Sequence, residues 1–121
     1  MTSDEVWQNE FGQKEIAKDF ADKTVRRGDY GKEKLSTGWD YDHIEPLNPN
    51  GNEKHKKQYN DIVNVQIVNV ATNREKANKT SFTINGIQYQ VVKNTPKKTK
   101  GKCLAPYNYK NKKHCIVILN K

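Results

Sequence analysis

The chain has 121 residues, a third of them apolar, and carries a formal net charge of +8. That length fits one domain with a thin core, and no stretch approaches the roughly 20 apolar residues needed to span a membrane.

The charge is one-sided. Residues 1–75 hold eleven Lys and Arg against all fourteen acids, whereas residues 76–121 hold eleven lysines and no acid. Positive charge segregated in this way suits a polyanionic partner and points to nucleic acid. The N-terminus has no basic region followed by an apolar run, so no secretory signal is visible, and the chain is expected to be soluble and cytoplasmic.

In chain order, Ser3 or Asp4 can cap a helix that buries Val6, Trp7 and Phe11 and stops at Gly12. Ile16, Ala17 and Phe20 have the spacing of a second short helix. Thr24–Arg27 reads as a brief strand closed by Gly28-Asp29-Tyr30-Gly31. Gly38–Ile44 reads as a strand with Trp39 and Tyr41 on one face and Asp40 and Asp42 on the other. Residues 45–63, with Pro46, Pro49 and Gly51, have loop chemistry, and a loop of that length is usually functional. Ile62–Val70 is β-branched and is expected to be the partner strand. Thr72 can cap a helix over Asn73–Asn78. The order is strand, loop, strand, helix.

Beyond it, Ser81–Ile84 and Ile87–Val92 flank Asn85-Gly86, the preferred pair for a type I′ turn, and predict a hairpin. A lysine-rich loop follows, and residues 104–109 and 114–119 could form a last hairpin. Spacing alone leaves Cys103 and Cys115 either bridged or reduced; free buried thiols in a reducing cytoplasm are expected, and no Cys-x-x-Cys pair is present for a structural zinc.

The chemistry concentrates in Asp42-His43-Ile44-Glu45-Pro46, Asn64-Val65-Gln66 and Asn73-Arg74-Glu75-Lys76. Phosphodiester hydrolysis needs a base for water and a cation for the leaving oxygen. A histidine suits the first task, and oxygen ligands for Mg²⁺ suit the second. Asp42 and His43 would face opposite ways in a regular strand, so the scheme asks the backbone to depart from ideal geometry there.

These residues, with Gly38-Trp39 before them and Lys79-Thr80-Ser81-Phe82 after, resemble the His-Asn-His (HNH, or ββα-metal) endonuclease family of bacteria and phages. The resemblance covers roughly residues 38–92. It implies an α+β fold with a ββα-metal core over about 38–80; the chain's own patterning adds short N-terminal helices and a basic hairpin extension over about 81–121, all one domain. It implies His43 as general base, Asn64 as the residue that holds the loop, and Asp42 and Asn73 as ligands of Mg²⁺, with Mn²⁺ as substitute. Asn73 stands where the third motif residue is often histidine. Arg74 and Lys76 are expected to contact phosphate. Arg26, Arg27, Lys97, Lys98, Lys100 and Lys102 are further candidates for the nucleic-acid backbone. The implied activity is DNA cleavage leaving 5′-phosphate and 3′-hydroxyl ends, with RNA open as the alternative polymer, by a monomer or weak homodimer. Two other readings stand beside it: a non-catalytic nucleic-acid-binding or inhibitory protein on the same scaffold, and a toxin nuclease domain.

Overall fold

Residues 2–44, 62–95, 101–105 and 112–119 are described by a computed structural model. Helix α1 spans Ser3–Phe11 and is capped one residue earlier than expected: Thr2 Oγ1 accepts from the Glu5 amide at 3.2 Å. Gly12 ends it with φ +62°, a conformation glycine adopts without penalty. Val6, Trp7 and Phe11 are its buried side, as their spacing requires.

The second short helix is a correction. Ile16–Lys18 is strand β1, paired antiparallel with β2, Thr24–Arg26. The Asp19 side chain makes the turn between them, with Oδ1 accepting from the Ala21 and Lys23 amides at 2.9 and 3.0 Å. A turn of 3₁₀ helix over Arg27–Asp29 follows.

Strand β3, Trp39–His43, and strand β4, Val65–Asn69, pair antiparallel with Trp39 opposite Asn69, Asp42 opposite Gln66, and His43 opposite Val65. Gly38 precedes β3 where nothing larger fits, since a Cβ there would stand 1.9 Å from the Lys32 carbonyl oxygen. The predicted strand Ile62–Val70 is shorter than expected, because Ile62–Asn64 forms a 3₁₀ turn first. Helix α2, Val70–Lys76, then begins without a loop.

Its start is another correction, since the cap is Asn69 and Thr72 lies buried inside the helix. Asn69 wins because both ends of its side-chain amide are used. Its Oδ1 accepts from the Ala71 amide at 2.9 Å, and its Nδ2 donates to the carbonyls of Thr24 and Ser36 at 2.9 and 2.8 Å. Its own amide donates to Asp19 Oδ2 at 2.9 Å. One side chain therefore ties β2, the segment before β3 and the start of α2 together. Ala77 closes α2 at φ +50°.

Strands β5, Ser81–Ile84, and β6, Ile87–Lys93, form the expected hairpin, with positive φ at both Asn85 and Gly86. Strand β7, His114–Ile118, pairs with β6. The predicted last hairpin is present as a single antiparallel bridge, Ala105 to Ile116, with 106–111 outside the described residues. Cys103 and Cys115 are joined in a disulfide with Cα atoms 5.6 Å apart, which corrects the free-thiol expectation. The described residues thus make a mixed α+β architecture of two helices and small antiparallel sheets. One apolar core sits between α1 and the β3–β4 pair (Val6, Trp7, Phe11, Val25, Trp39, Val65, Ile67). A second lies on the C-terminal sheet, around Phe82, Ile84, Tyr89 and Ile116.

Candidate active site

Strand alternation assigns the two faces of the β3–β4 pair. Trp39, Val65 and Ile67 pack into the core against α1. Asp42 and Gln66, opposite each other in register, serve the face against α2. The face toward α2 would be expected to hold apolar groups, and instead it holds a charge pair. Lys76 Nζ lies 2.8 Å from Asp42 Oδ2, with side-chain exposures of 0% and 9%. The same ammonium donates to the His43 carbonyl at 3.2 Å, and the Gln66 amide donates to Asp42 Oδ2 at 3.3 Å.

A buried carboxylate without partners would be strongly disfavoured. Burial does push the Asp42 carboxyl above its ordinary range, while the Lys76 ammonium, the Gln66 amide and His43 pull it the other way without cancelling the shift. The Lys76 contact is a correction to the expected role of that residue. With no exposed side-chain surface it does not reach an external phosphate, and it acts as an internal counter-charge.

The same helix brings up Asn73. It stands three residues before Lys76, so the two share a face of α2 one turn apart. Among the described residues the Asn73 carboxamide makes no hydrogen bond, and Asp42 Oδ1 accepts none. Gln66 Oε1 and Thr72 Oγ1 are buried nearby without partners, Thr72 being one turn before Lys76. A carboxylate oxygen and an amide oxygen are the hard donors Mg²⁺ prefers, so the residues present fit such an ion. Among the described residues no three His, Cys, Asp or Glu side chains gather as a metal site, and this donor set contains only one of those types.

His43 ends β3, half-buried, next to Asp42. The ladder continues through it to Val65, so the expected departure from strand geometry does not occur within β3, and alternation directs Asp42 and His43 to opposite faces. Asn64 is buried, and its carbonyl accepts from the Ile44 amide at 2.8 Å, clasping the points where residues 45–61 leave and return. Lys112, also buried, braces the same point by donating to the Ile62 carbonyl and to Asn9 Oδ1 at 3.0 Å.

The other candidates spread over the surface. Arg74 is 68% exposed on the flank of α2, 4.0 Å from Glu33. Arg26 is exposed, but Arg27 is turned toward α1, donating to the Gly12 carbonyl and lying 3.5 Å from Asp4. Lys102 is exposed, while Lys97, Lys98 and Lys100 lie outside the described residues. Sequence reasoning missed Gln66 as a partner of Asp42, although its place opposite Asp42 was available from the strand pairing.

No helix among the described residues is long and apolar enough to cross a membrane. No family model matches the chain, and no curated protein or solved structure is similar to it at a significant level.

Proposed function

We propose that the chain is a metal-dependent endonuclease of the HNH type, hydrolysing phosphodiester bonds of DNA, with β3, β4 and α2 as its ββα-metal core. The observation that carries this reading is Asp42, buried at the end of β3 and held by a lysine of the helix that also presents Asn73 one turn away. Catalytic side chains must be fixed by such supporting contacts to be useful.

Asp42 and Asn73 would hold one Mg²⁺, or Mn²⁺ in its place, which when bound supplies Lewis-acid stabilisation of the leaving oxygen. His43 takes the proton from the attacking water, whose oxygen bonds to phosphorus as the bond to the 3′-oxygen breaks. In-line displacement puts attacking and leaving oxygens on opposite sides of phosphorus. A base and a ligand set on opposite faces of one strand end are therefore compatible with a phosphate seated over that end. Asn64 keeps that end closed, and Arg74, exposed on the flank of α2, would grip an adjacent phosphate. Supercoiled plasmid with Mg²⁺ tests the reading: nicked circles are expected first, and none with His43→Ala in its folded form. Equal cutting by that variant refutes it.

One observation favours a second reading, an exported toxin-type nuclease. The Cys103–Cys115 bridge is a feature of oxidising compartments. Growth arrest on expression, neutralised by a co-expressed partner, would support it; cysteines alkylated quantitatively in cell extracts would speak for the cytoplasmic alternative.

A further inference from the structure

We propose that the site takes up its divalent cation together with the phosphate it acts on, because Lys76 already neutralises the one carboxylate in the donor set. The inference rests on the nuclease reading above and adds a coupling between metal and substrate to it.

The argument is one of charge count. Divalent-cation affinity in oxygen sites is set largely by how many negative ligands converge. Among the described residues the donor set is one carboxylate, Asp42, and one neutral amide, Asn73. Asp42 Oδ2 is occupied by the Lys76 ammonium at 2.8 Å and by the Gln66 amide at 3.3 Å. Only Oδ1 accepts no hydrogen bond among the described residues. The charge that Asp42 and Lys76 together present to a cation is therefore close to zero, and the ammonium repels any ion arriving at the other oxygen.

Nor is Lys76 a mobile group that could swing out when a metal arrives. It is fully buried, its second hydrogen bond goes to the His43 carbonyl at 3.2 Å, and its ammonium lies 5.9 Å from the centre of the Phe82 ring. The positive charge is built into the floor of the site. A nucleic-acid phosphate, bringing a full negative charge and free oxygens, supplies what this donor set lacks. By linkage, metal then raises affinity for nucleic acid by the same factor as nucleic acid raises affinity for metal. Such a site stays largely metal-free until a strand is bound.

The test uses the full chain carrying His43→Ala to block turnover, with Mn²⁺ titrated by electron paramagnetic resonance with and without a short DNA duplex. The duplex is expected to tighten Mn²⁺ binding about tenfold or more, within the usual range for coupled sites. At a pH high enough to keep Asp42 ionised in both proteins, Lys76→Met in the same background should bind Mn²⁺ alone about tenfold tighter, since a fixed repulsive charge is gone, and should show a smaller response to duplex. Lys76→Gln serves if Lys76→Met does not fold, and the duplex comparison needs neither. Mn²⁺ binding that is abolished by Asp42→Asn yet equal with and without duplex overturns the inference and leaves the nuclease reading standing. Absence of Mn²⁺ binding under every condition overturns both.

Discussion

Replacing Lys76 with methionine, similar in length but uncharged, isolates the charge that the interior depends on. The ammonium has no solvent exposure and stands 2.8 Å from a carboxylate that is itself 9% exposed. Removing one partner of a buried pair costs roughly 3–5 kcal/mol, mostly because the other charge is left uncompensated. For a chain of 121 residues, unfolding entropy converts each kcal/mol into about 4 °C of Tm. A Tm lower by about 12–20 °C at about pH 8 is therefore expected in thermal unfolding followed by circular dichroism. The sign of the pH dependence follows from burial. Desolvation holds the Asp42 carboxyl above its unfolded value, and Lys76 is the strongest group opposing that shift. Without Lys76 the folded value rises further, so the folded state binds the proton more tightly than the unfolded state does. Stability then falls as pH climbs from the ordinary carboxylate range through the raised value, and is regained on acidification. The gap between wild type and Lys76→Met should narrow between about pH 8 and about pH 5, and Asp42→Asn added to Lys76→Met should restore most of the loss at high pH. A deficit of less than about 4 °C, or one that does not change with pH, would show that the pair is not the buried interaction described here.

Further outcomes follow from other contacts. Asn69→Ala removes two donated hydrogen bonds and a helix cap at once, and should destabilise the protein by about 2–4 kcal/mol in urea unfolding, whereas Asn69→Asp should recover only the cap. Ala77→Gly should stabilise by about 1 kcal/mol, because Ala77 adopts φ +50°, ψ −140° at the end of α2, close to what Gly12 adopts at the end of α1; an unchanged midpoint would refute that account. Replacing both Cys103 and Cys115 by Ala opens a loop with a sequence separation of 12 and should cost about 3 kcal/mol by loop entropy, measured against the oxidised wild type. Gly38→Ala forces a methyl against the Lys32 carbonyl and should lower the yield of folded protein sharply, with no loss expected from alanine at Gly28, where nothing lies within 4 Å.

What was legible in the chain, and what was not, divides by the range of the interactions that decide each feature. Helix α1 and the Asn85-Gly86 hairpin are local: an apolar side at helical spacing, and a turn pair whose two residues accept positive φ. Strand, strand and helix came in the expected order at β3, β4 and α2, because β-branched runs and helix formers announce themselves. The failures are of another kind. Ile16, Ala17 and Phe20 fit a helix as well as a strand, and the choice was made by Val25 across the turn and by an Asp19 side chain that binds two amides. Asn69 and Thr72 are both good caps, and two carbonyls from distant segments chose between them.

Lys76 shows the principle most clearly, since its local setting, the last turn of a short polar helix, predicts a solvated charge available to a ligand. An aspartate 34 positions earlier in the chain decides otherwise, and no periodicity encodes that meeting. A residue can therefore be placed on the correct element and face from sequence while the sign of its contribution is reversed. Read as a surface cation, Lys76 would attract phosphate; as a buried one, it cancels the carboxylate on which a metal would depend. The same residue identity supports two opposite electrostatic roles, and burial alone selects between them.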